Sequence, residues 1–381
     1  MATNATQRYD GDRHHEPDEV LAARSSSQPG GVCSEAAPPL VDGQRLAGVR
    51  RAFSTRRACL PDRLTLVSDG VVPQSGDLVL GRVTHLGQHL RLELPSGRRS
   101  RLYIGDEILV AYGHRYASDQ FESEIPATLD ECHLVAAGGI ASRYLSRHSG
   151  VKEPTRIQPL GLLAGPDGST LNLRQWRLDS RPIPKPLPPV IVVAGTSMNA
   201  GKTTAAACLI KGLQRAGKRV GAAKVTGTGA GCDYWQMMDA GAVEVVDFTD
   251  AGLASTYLLP PQEVEKVFLR LLSHLGSLNL DVIVVEVADG VLQPETAELL
   301  ASPGFSYYCT GLVFAAGDAM GAVAGVQWLQ RKGLEVSAIS GALTASPLAV
   351  RETSSALGIP VIGKRELSDR ASAEALLAQL D

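Results

Sequence analysis

The 381-residue sequence lacks the features that would place it in a membrane or outside the cell. No apolar run reaches the roughly 18 residues of a membrane-spanning helix. The first 30 residues contain no apolar core of a secretory signal. The six cysteines include no Cys-x-x-Cys pair and no Cys/His cluster with zinc-finger spacing. These absences predict a cytoplasmic protein with reduced thiols.

The sequence also has no large excess of positive or negative charge. The 37 Lys and Arg residues nearly balance 40 Asp and Glu residues, which leaves a formal net charge of −3. Such a balance gives no reason to expect nucleic acid or an anionic membrane as a partner. The composition, 44% hydrophobic and 20% charged, is ordinary for a globular protein, and the length predicts two or three domains.

Three segments precede the most informative part of the chain. Residues 1–60 are rich in Ser, Pro, Gly, Arg and Asp without sustained periodicity, which predicts a disordered or weakly ordered leader. Residues 61–180 contain short β-rich runs between turns, such as GDLVLGRVTHLG and HLRLELPSG, and we predict a small antiparallel barrel or sandwich. Residues 181–189, RPIPKPLPP, contain five prolines and predict a linker between domains.

Residues 190–381 alternate apolar and helical segments. The strand candidates are VIVVAG, RVGAAKV, VEVVDF, DVIVVEVA, GLVFAA, EVSAIS and IPVIG. Continuously apolar strands that alternate with helices predict a parallel sheet with both faces covered. The fold class is therefore predicted to be α/β, with a smaller β-rich domain before the parallel-sheet domain.

The stretch VVAGTSMNAGKTTAA lies between the first of these strands and a helix. Five residues separate Gly195 from Gly201, one more than in the usual Gly-x₄-Gly-Lys-Ser/Thr phosphate loop. At such a junction the backbone N–H groups and the helix dipole favour a phosphate, so 190–381 is predicted to be a P-loop NTPase domain. The predicted nucleotide-binding residues are Gly195, Thr196, Asn199, Ala200, Gly201, Lys202, Thr203 and Thr204.

Polar residues at the ends of the predicted strands supply candidates for catalysis and metal binding. Lys202 of the loop and Lys224 at the end of the second strand are predicted to stabilise charge on a transferring phosphoryl group, although Lys224 could also bind an anionic substrate or reach solvent. Thr203 can ligate Mg²⁺ through its hydroxyl. Glu286 interrupts an apolar strand and is predicted as an Mg²⁺ ligand, with Asp247 as a further candidate.

Three more residues are predicted on the substrate side. Thr226 and Thr228 follow Lys224 in a glycine-rich turn and can contact a substrate. Asp289 lies three residues after Glu286 and is a candidate for substrate or metal.

The loop and two further motifs resemble a known family. Gly-Thr-x₄-Gly-Lys-Thr is similar to the loop of dethiobiotin synthetase, a P-loop NTPase of the SIMIBI class, and to uncharacterised proteins with a P-loop domain of that kind. AAKVTGTG (222–229) resembles its Lys-Pro-x-x-Ser/Thr-Gly segment, and VVEVADG (284–290) resembles its Val-Glu-Gly-Ala-Gly-Gly segment. The resemblance covers about 190–365 and implies Mg²⁺, ATP and a homodimer.

The chain also departs from that family. The synthetase has no β-rich domain, and its Gly-Ala-Gly-Gly is VADG here, so the resemblance does not extend to its substrate. The segment SGALTASPLAVRET (340–353) lies where the family binds the purine base but lacks the family's Asn motif, which leaves GTP open beside ATP.

Three functions follow as hypotheses. The first is a Mg-ATP-dependent kinase or ligase that phosphorylates or activates a small-molecule metabolite with a carboxylate or an amine. The second is a nucleotide-dependent accessory or switch protein for cofactor assembly. The third is a coenzyme A-dependent acyltransferase whose P-loop holds the phosphates of the coenzyme.

Overall fold

The computed structural model describes residues 40–41 and 43–380. Within these residues no helix combines the length and apolar character needed to cross a membrane. Two large sheets organise them, one before and one after the proline-rich segment 181–189, which contains no helix or strand. The division into domains at this segment stays a prediction.

The first sheet is a closed barrel. Its ring consists of five strands, because β12 pairs with β4, β4 with β7, β7 with β11, β11 with β10, and β10 again with β12. The β7–β11 pair is parallel and the other four are antiparallel, so the ring is not fully antiparallel as predicted. The strands of this region are β1 (Leu40–Val41), β2 (Arg50–Arg51), β3 (Leu64–Val67), β4 (Leu78–His85), β5 (Arg91–Glu93), β6 (Arg99–Arg101), β7 (Glu107–Tyr112), β8 (Arg115–Tyr116), β9 (Phe121–Glu124), β10 (Cys132–Ala136), β11 (Ile140–Arg147) and β12 (Thr155–Ala164).

Both faces of barrel strand β7 are buried. Along β7, Ile108 and Val110 belong to one apolar cluster, whereas Leu109 and Ala111 belong to another. This separation follows from the two-residue period of a strand. The second cluster also contains Ala254, which comes from the second half of the chain. The barrel therefore packs against the loop that follows β15 (Glu244–Asp247) as well as within itself.

The predicted leader differs from the structure where the structure describes it. Residues 1–39 and 42 of that prediction lie outside the described residues. Residues 43–60 are ordered: they contain helix α1 (Gly43–Gly48), strand β2 and a 3₁₀ turn whose Phe53 is fully buried. Ala52 donates its backbone N–H to the carbonyl of Leu109 at 3.0 Å. This long-range pairing with β7 orders a segment that has no local periodicity.

The second sheet confirms the predicted parallel α/β fold. Its six strands lie in the order β15-β14-β16-β13-β17-β18, and every pairing is parallel. The seventh predicted strand, IPVIG, forms only an isolated bridge between Val361 and Ile339. The strands are β13 (Val190–Gly195), β14 (Val220–Lys224), β15 (Glu244–Asp247), β16 (Val282–Glu286), β17 (Gly311–Ala315) and β18 (Ala338–Ser340).

Helices cover both faces of this sheet. Along the central strand β13, Val190 and Val192 belong to one apolar cluster, and Ile191 and Val193 belong to the other. Continuous apolar strands arise because both faces must be buried. The helices are α2 (Lys202–Arg215), α3 (Cys232–Ala240), α4 (Pro261–Gly276), α5 (Pro294–Leu300), α6 (Pro303–Tyr308), α7 (Ala319–Arg331), α8 (Pro347–Leu357), α9 (Lys364–Leu367) and α10 (Arg370–Ala378).

The strand order places the site. Strand β13 is the first strand of this sheet in the chain, and it lies between β16 and β17. Later strands are therefore added on both sides of β13, with β14, β15 and β16 on one side and β17 and β18 on the other. In open parallel sheets the crevice at such a reversal, outside the carboxyl ends of the strands, is where ligands bind. Gly195, Lys224 and Glu286 are the last residues of β13, β14 and β16.

Candidate functional site

The phosphate loop connects β13 to α2. Gly195 must be glycine because an added Cβ would lie 2.6 Å from the carbonyl oxygen of Ala315. Gly201, the residue before the helix, has φ +94° in the left-handed region that glycine favours. Thr196 and Ala200 donate their amides within the protein, to Ala315 O at 3.0 Å and Ser197 O at 3.3 Å.

The first turn of α2 contains the other loop candidates. The backbone N–H groups of Lys202, Thr203 and Thr204 occupy the positions that lack intrahelical acceptors, which is the usual reason that an anion binds at a helix N-terminus. The Lys202 ammonium is buried and donates to the carbonyl of Ser197 at 2.7 Å. Burial lowers the pKa of Lys202. The loop therefore surrounds a cation that is available to a phosphate.

Thr203 and Glu286 form the candidate metal centre. The Thr203 hydroxyl donates to Glu286 Oε1 at 2.9 Å. The second carboxylate oxygen, Oε2, is buried without a hydrogen-bond partner among the described residues, and burial raises the pKa of Glu286. The Thr203 hydroxyl and the unpartnered Oε2 of Glu286 are therefore both suited to Mg²⁺. This ion usually binds one or two carboxylates together with phosphate oxygens and water. No group of three or more His, Cys, Asp or Glu in the described part of the chain could hold a metal by itself.

Lys224 lies beside this centre in the sheet. It is paired in register with Glu286 of β16. Its ammonium forms an ion pair with Asp233 of α3. Burial by itself would lower the pKa of Lys224, but Asp233 and Glu286 reverse this and raise it. Burial likewise acts to raise the pKa of Asp233, and Lys224 reverses this and lowers it. Both groups are therefore charged, and Lys224 remains a cation in the cleft.

The structure does not place Asp247 at the candidate metal centre. Its carboxylate accepts from Arg56 at 3.2 Å and from the backbone N–H of Thr249 at 2.7 Å. Arg56 also forms an ion pair with Asp250 at 2.5 Å. Asp247 does not line the cleft that contains the phosphate loop, although it is paired in register with Lys224. Its carboxylate is compensated by Arg56, a partner that comes from the predicted leader.

The substrate candidates separate into two groups. Thr228 and Asp289 line the cleft at the phosphate loop. Asp289 adopts φ +62°, and burial raises its pKa. Thr226 is buried, and its hydroxyl donates to the carbonyl of Ala288 at 3.1 Å. The structure does not bring Thr226 to the cleft.

The barrel forms the opposite wall of the cleft, which sequence reasoning missed. The cleft has a volume of about 520 Å³ and is lined by Lys202, Lys224 and Glu286 on the sheet side. Arg115 and Asp119 line it on the barrel side. These two residues lie about 80 positions before the loop, and nothing in their local pattern, RYASDQ, indicates a site.

A direct contact joins the two walls. The side-chain amide of Asn199, in the phosphate loop, donates to Asp119 Oδ2 at 2.9 Å. Asn199 has φ +63°, so the loop presents this side chain from a left-handed backbone conformation that asparagine tolerates. The conformation of the loop is thereby linked to the barrel.

A smaller cleft adjoins the loop on its other side. It has a volume of about 240 Å³ and shares Asn199, Gly201 and Thr204 with the first cleft. Its far wall contains Ser340, Ala342, Thr344 and Lys364, and the first three belong to the segment predicted to bind the purine base.

Comparison with known proteins gives partial structural similarity only. No protein-family model matches the chain, and no curated protein matches it. The signal recognition particle 54 kDa protein of Aeropyrum pernix K1, solved with GDP, aligns with TM-score 0.35 and 17% identity over 55% of this chain and 53% of its own. The receptor FtsY of Elizabethkingia anophelis aligns with TM-score 0.36 and 14% identity over 53% of this chain and 68% of its own. FtsY of Thermotoga maritima aligns with TM-score 0.30 and 20% identity over 53% and 71%.

These comparisons correct one prediction. None of the three neighbours named above is a dethiobiotin synthetase, a small-molecule kinase or a ligase. The prediction of a Mg-ATP-dependent kinase or ligase for a metabolite was wrong by this finding. At these identities the similarity concerns the fold alone, and the alignment spans about half of the first neighbour.

Proposed function

We propose that this protein is a nucleotide-dependent switch or accessory protein, in which the barrel responds to the nucleotide bound at the phosphate loop. The observation that carries this proposal is the hydrogen bond between Asn199 and Asp119. It connects the loop that would hold phosphate to the wall that would sense it. A phosphate that moves the loop changes this contact, and the barrel then differs between nucleotide states.

The residues of the site have distinct roles in this proposal. The N–H groups that begin α2 and the ammonium of Lys202 hold the phosphates. Thr203 and Glu286 hold Mg²⁺, which would offset negative charge on the phosphates. Lys224 supplies a second cation that Asp233 orients. Hydrolysis in such a site is slow until a partner completes it, so a protein partner is part of the proposal.

The nucleotide would extend from the large cleft into the small one. Its base would lie beside Thr344 and Lys364, whose side chains offer a hydroxyl and a donor. ATP is the nucleotide we propose, with GTP to be tested beside it. The long loop, with five residues between its glycines, is the feature that favours the dethiobiotin-synthetase-like branch. The homodimer implied by that resemblance stays a prediction.

The first experiment tests nucleotide binding. Calorimetry with Mg-ATP, Mg-ADP, Mg-GTP and Mg-GDP is carried out on the protein and on Lys202→Ala. We expect Lys202→Ala to weaken binding about tenfold or more, because it removes a charged hydrogen-bond donor to phosphate. Lys211→Ala, on the same helix and hydrogen-bonded to Gln214 of that helix, is the control and retains full affinity. Equal affinity of Lys202→Ala and the control contradicts the site assignment.

The second experiment tests the switch. Hydrogen exchange of residues 113–124 is compared among the free protein, the diphosphate state and the triphosphate state. We expect the two nucleotide states to differ in protection, and we expect Asn199→Ala to reduce the difference while nucleotide binding persists. Identical exchange in all three states would show that the barrel does not respond to nucleotide.

A second candidate is coenzyme A-dependent acyl transfer to a small molecule. Asp289, which is half-buried in the same cleft with a raised pKa, is the observation that favours it, because such a carboxylate can accept the proton of an attacking amine. The amine would form a bond to the acyl carbon, and the coenzyme would leave as thiol. Binding of acetyl-coenzyme A without binding of either nucleoside triphosphate would select this candidate.

A further inference from the structure

Arg115, the first residue of β8, is a buried cation on the barrel wall of the cleft. Only 7% of its surface is exposed, yet it lines the cleft opposite Lys202 and Asp289. Neither the phosphate loop nor the candidate metal centre uses it. Its guanidinium lies 5.9 Å from the ring centroid of Phe121, which fixes one face of it.

The donors of Arg115 are largely unused. Nη2 donates to Gln120 Oε1 at 2.9 Å, whereas Nε has no hydrogen-bond partner among the described residues. Nη1 lies 3.4 Å from His89 Nε2. That ring nitrogen is also 2.8 Å from the carbonyl oxygen of Val135, so it must carry its hydrogen and donate. Because His89 Nε2 donates its hydrogen to Val135, it has no lone pair that could accept a hydrogen bond from Nη1 of Arg115.

The charge of Arg115 is also not matched by a direct partner. No carboxylate of residues 40–41 and 43–380 forms an ion pair with it, and Asp119 and Asp289 act on it only from a distance. Burial lowers the pKa of Arg115 to about 10, so it remains a cation at neutral pH. A buried charge of this kind is costly unless a counter-charge is supplied, and Arg115 lines the cleft, where a bound anion could supply one.

We propose that Arg115 is the anchor of an anion-binding subsite on the barrel wall, which takes a phosphate or carboxylate group through its guanidinium. Gln120 and Phe121 orient the fork, and the neutral ring of His89 leaves Nη1 free. The planar fork is suited to a two-oxygen group, which a lysine ammonium cannot bind in the same way.

Two sources can supply this group. One is the terminal phosphate of the nucleotide at the loop, in which case Arg115 distinguishes triphosphate from diphosphate. The other is a separate small anion bound beside the nucleotide. The first source rests on the proposed function, whereas the second can be measured without any nucleotide.

The test uses Arg115→Gln and Arg115→Lys in the full chain. Arg143→Gln is the control, because Arg143 is exposed on the same barrel, and thermal melting verifies that every variant folds. Calorimetry measures Mg-ATP against Mg-ADP, and inorganic phosphate and acetate alone. We expect Arg115→Gln to lose about tenfold or more in one of these affinities, with Arg115→Lys intermediate, because a charged hydrogen bond is lost.

The outcomes separate the possibilities. A loss confined to ATP supports the terminal phosphate as the ligand, and a loss confined to phosphate or acetate supports a separate anion. In a third outcome, neither the wild type nor any variant binds nucleotide, while the wild type binds phosphate or acetate more tightly than Arg115→Gln does. In that case the anion subsite is supported and the proposed nucleotide switch is contradicted. If Arg115→Gln equals wild type in the ATP-to-ADP ratio and in both anion affinities, the subsite is overturned.

Discussion

Thr203 and Glu286 are joined by a 2.9 Å hydrogen bond that connects the start of α2 to the end of β16. The Thr203 hydroxyl donates to Oε1 of Glu286, whereas Oε2 is buried without a hydrogen-bond partner in the described structure. Eighty-three positions separate the two residues in the chain. Their contact follows from the adjacency of β13 and β16 in the parallel sheet.

Glu286→Gln tests the magnesium assignment. The amide oxygen can still accept from Thr203, but the anionic oxygen is lost. We expect nucleotide affinity in Mg²⁺ to fall about tenfold or more, because a charge-assisted ligand is removed, and affinity in EDTA to stay unchanged. Calorimetry in both conditions measures the difference. Glu298→Gln, an exposed position on α5, is the control. A parallel loss with and without Mg²⁺ would show that Glu286 does not act through the metal.

Arg56→Ala tests the ion-pair cluster that Arg56 forms with Asp247 and Asp250. The substitution leaves the buried carboxylates of Asp247 and Asp250 without their main cation. We expect the free energy of unfolding to fall by about 3–5 kcal/mol, the usual result of breaking a buried pair. Chemical denaturation measures it. Arg57→Ala is the control and should cost less than about 1 kcal/mol, because Arg57 is 38% exposed in its side chain and its ion pair is longer.

Asp247→Asn separates structure from metal binding at the same cluster. Since Asp247 does not line the cleft, we expect the Mg²⁺ dependence of nucleotide binding to be unchanged. A loss of Mg²⁺ dependence in a folded Asp247→Asn protein would restore the metal role.

His89 is expected to make stability depend on pH. Burial and the neighbouring Arg115 lower its pKa from 6.5 to about 4. Between these values the unfolded chain binds a proton that the folded chain does not, so stability rises with pH across this window and is lost as pH falls. The full contribution is about 3 kcal/mol.

Denaturation at several pH values measures this effect. In His89→Gln the side-chain amide can still donate to Val135 without titrating, and the slope between about pH 4.5 and about pH 6.5 should become smaller. The exposed His148, changed to Gln, is the control and should keep the wild-type slope. An unchanged slope in His89→Gln would show that another group titrates in this window.

The sequence by itself determined the second sheet and the phosphate loop. Each strand of that sheet is buried on both faces, so continuous apolar runs mark it without knowledge of its neighbours. The local Gly-Lys-Thr motif places Lys202 and Thr203 at the junction of β13 and α2. Glu286 stands out because a carboxylate in an apolar strand needs a compensating partner. Each of these signals lies within a few residues of the site that it predicts.

Only the tertiary structure decided the opposite wall of the cleft. Arg115 and Asp119 come from the barrel, and their neighbours in the chain resemble those of any surface turn. The packing of Asp247 was not visible in the sequence because its partner, Arg56, is 191 positions away in a segment without periodicity. Local patterns record which face of an element is buried, but they do not record which distant element covers it. The electrostatic partner of a buried charge is set by that packing, and so is the role of the charge.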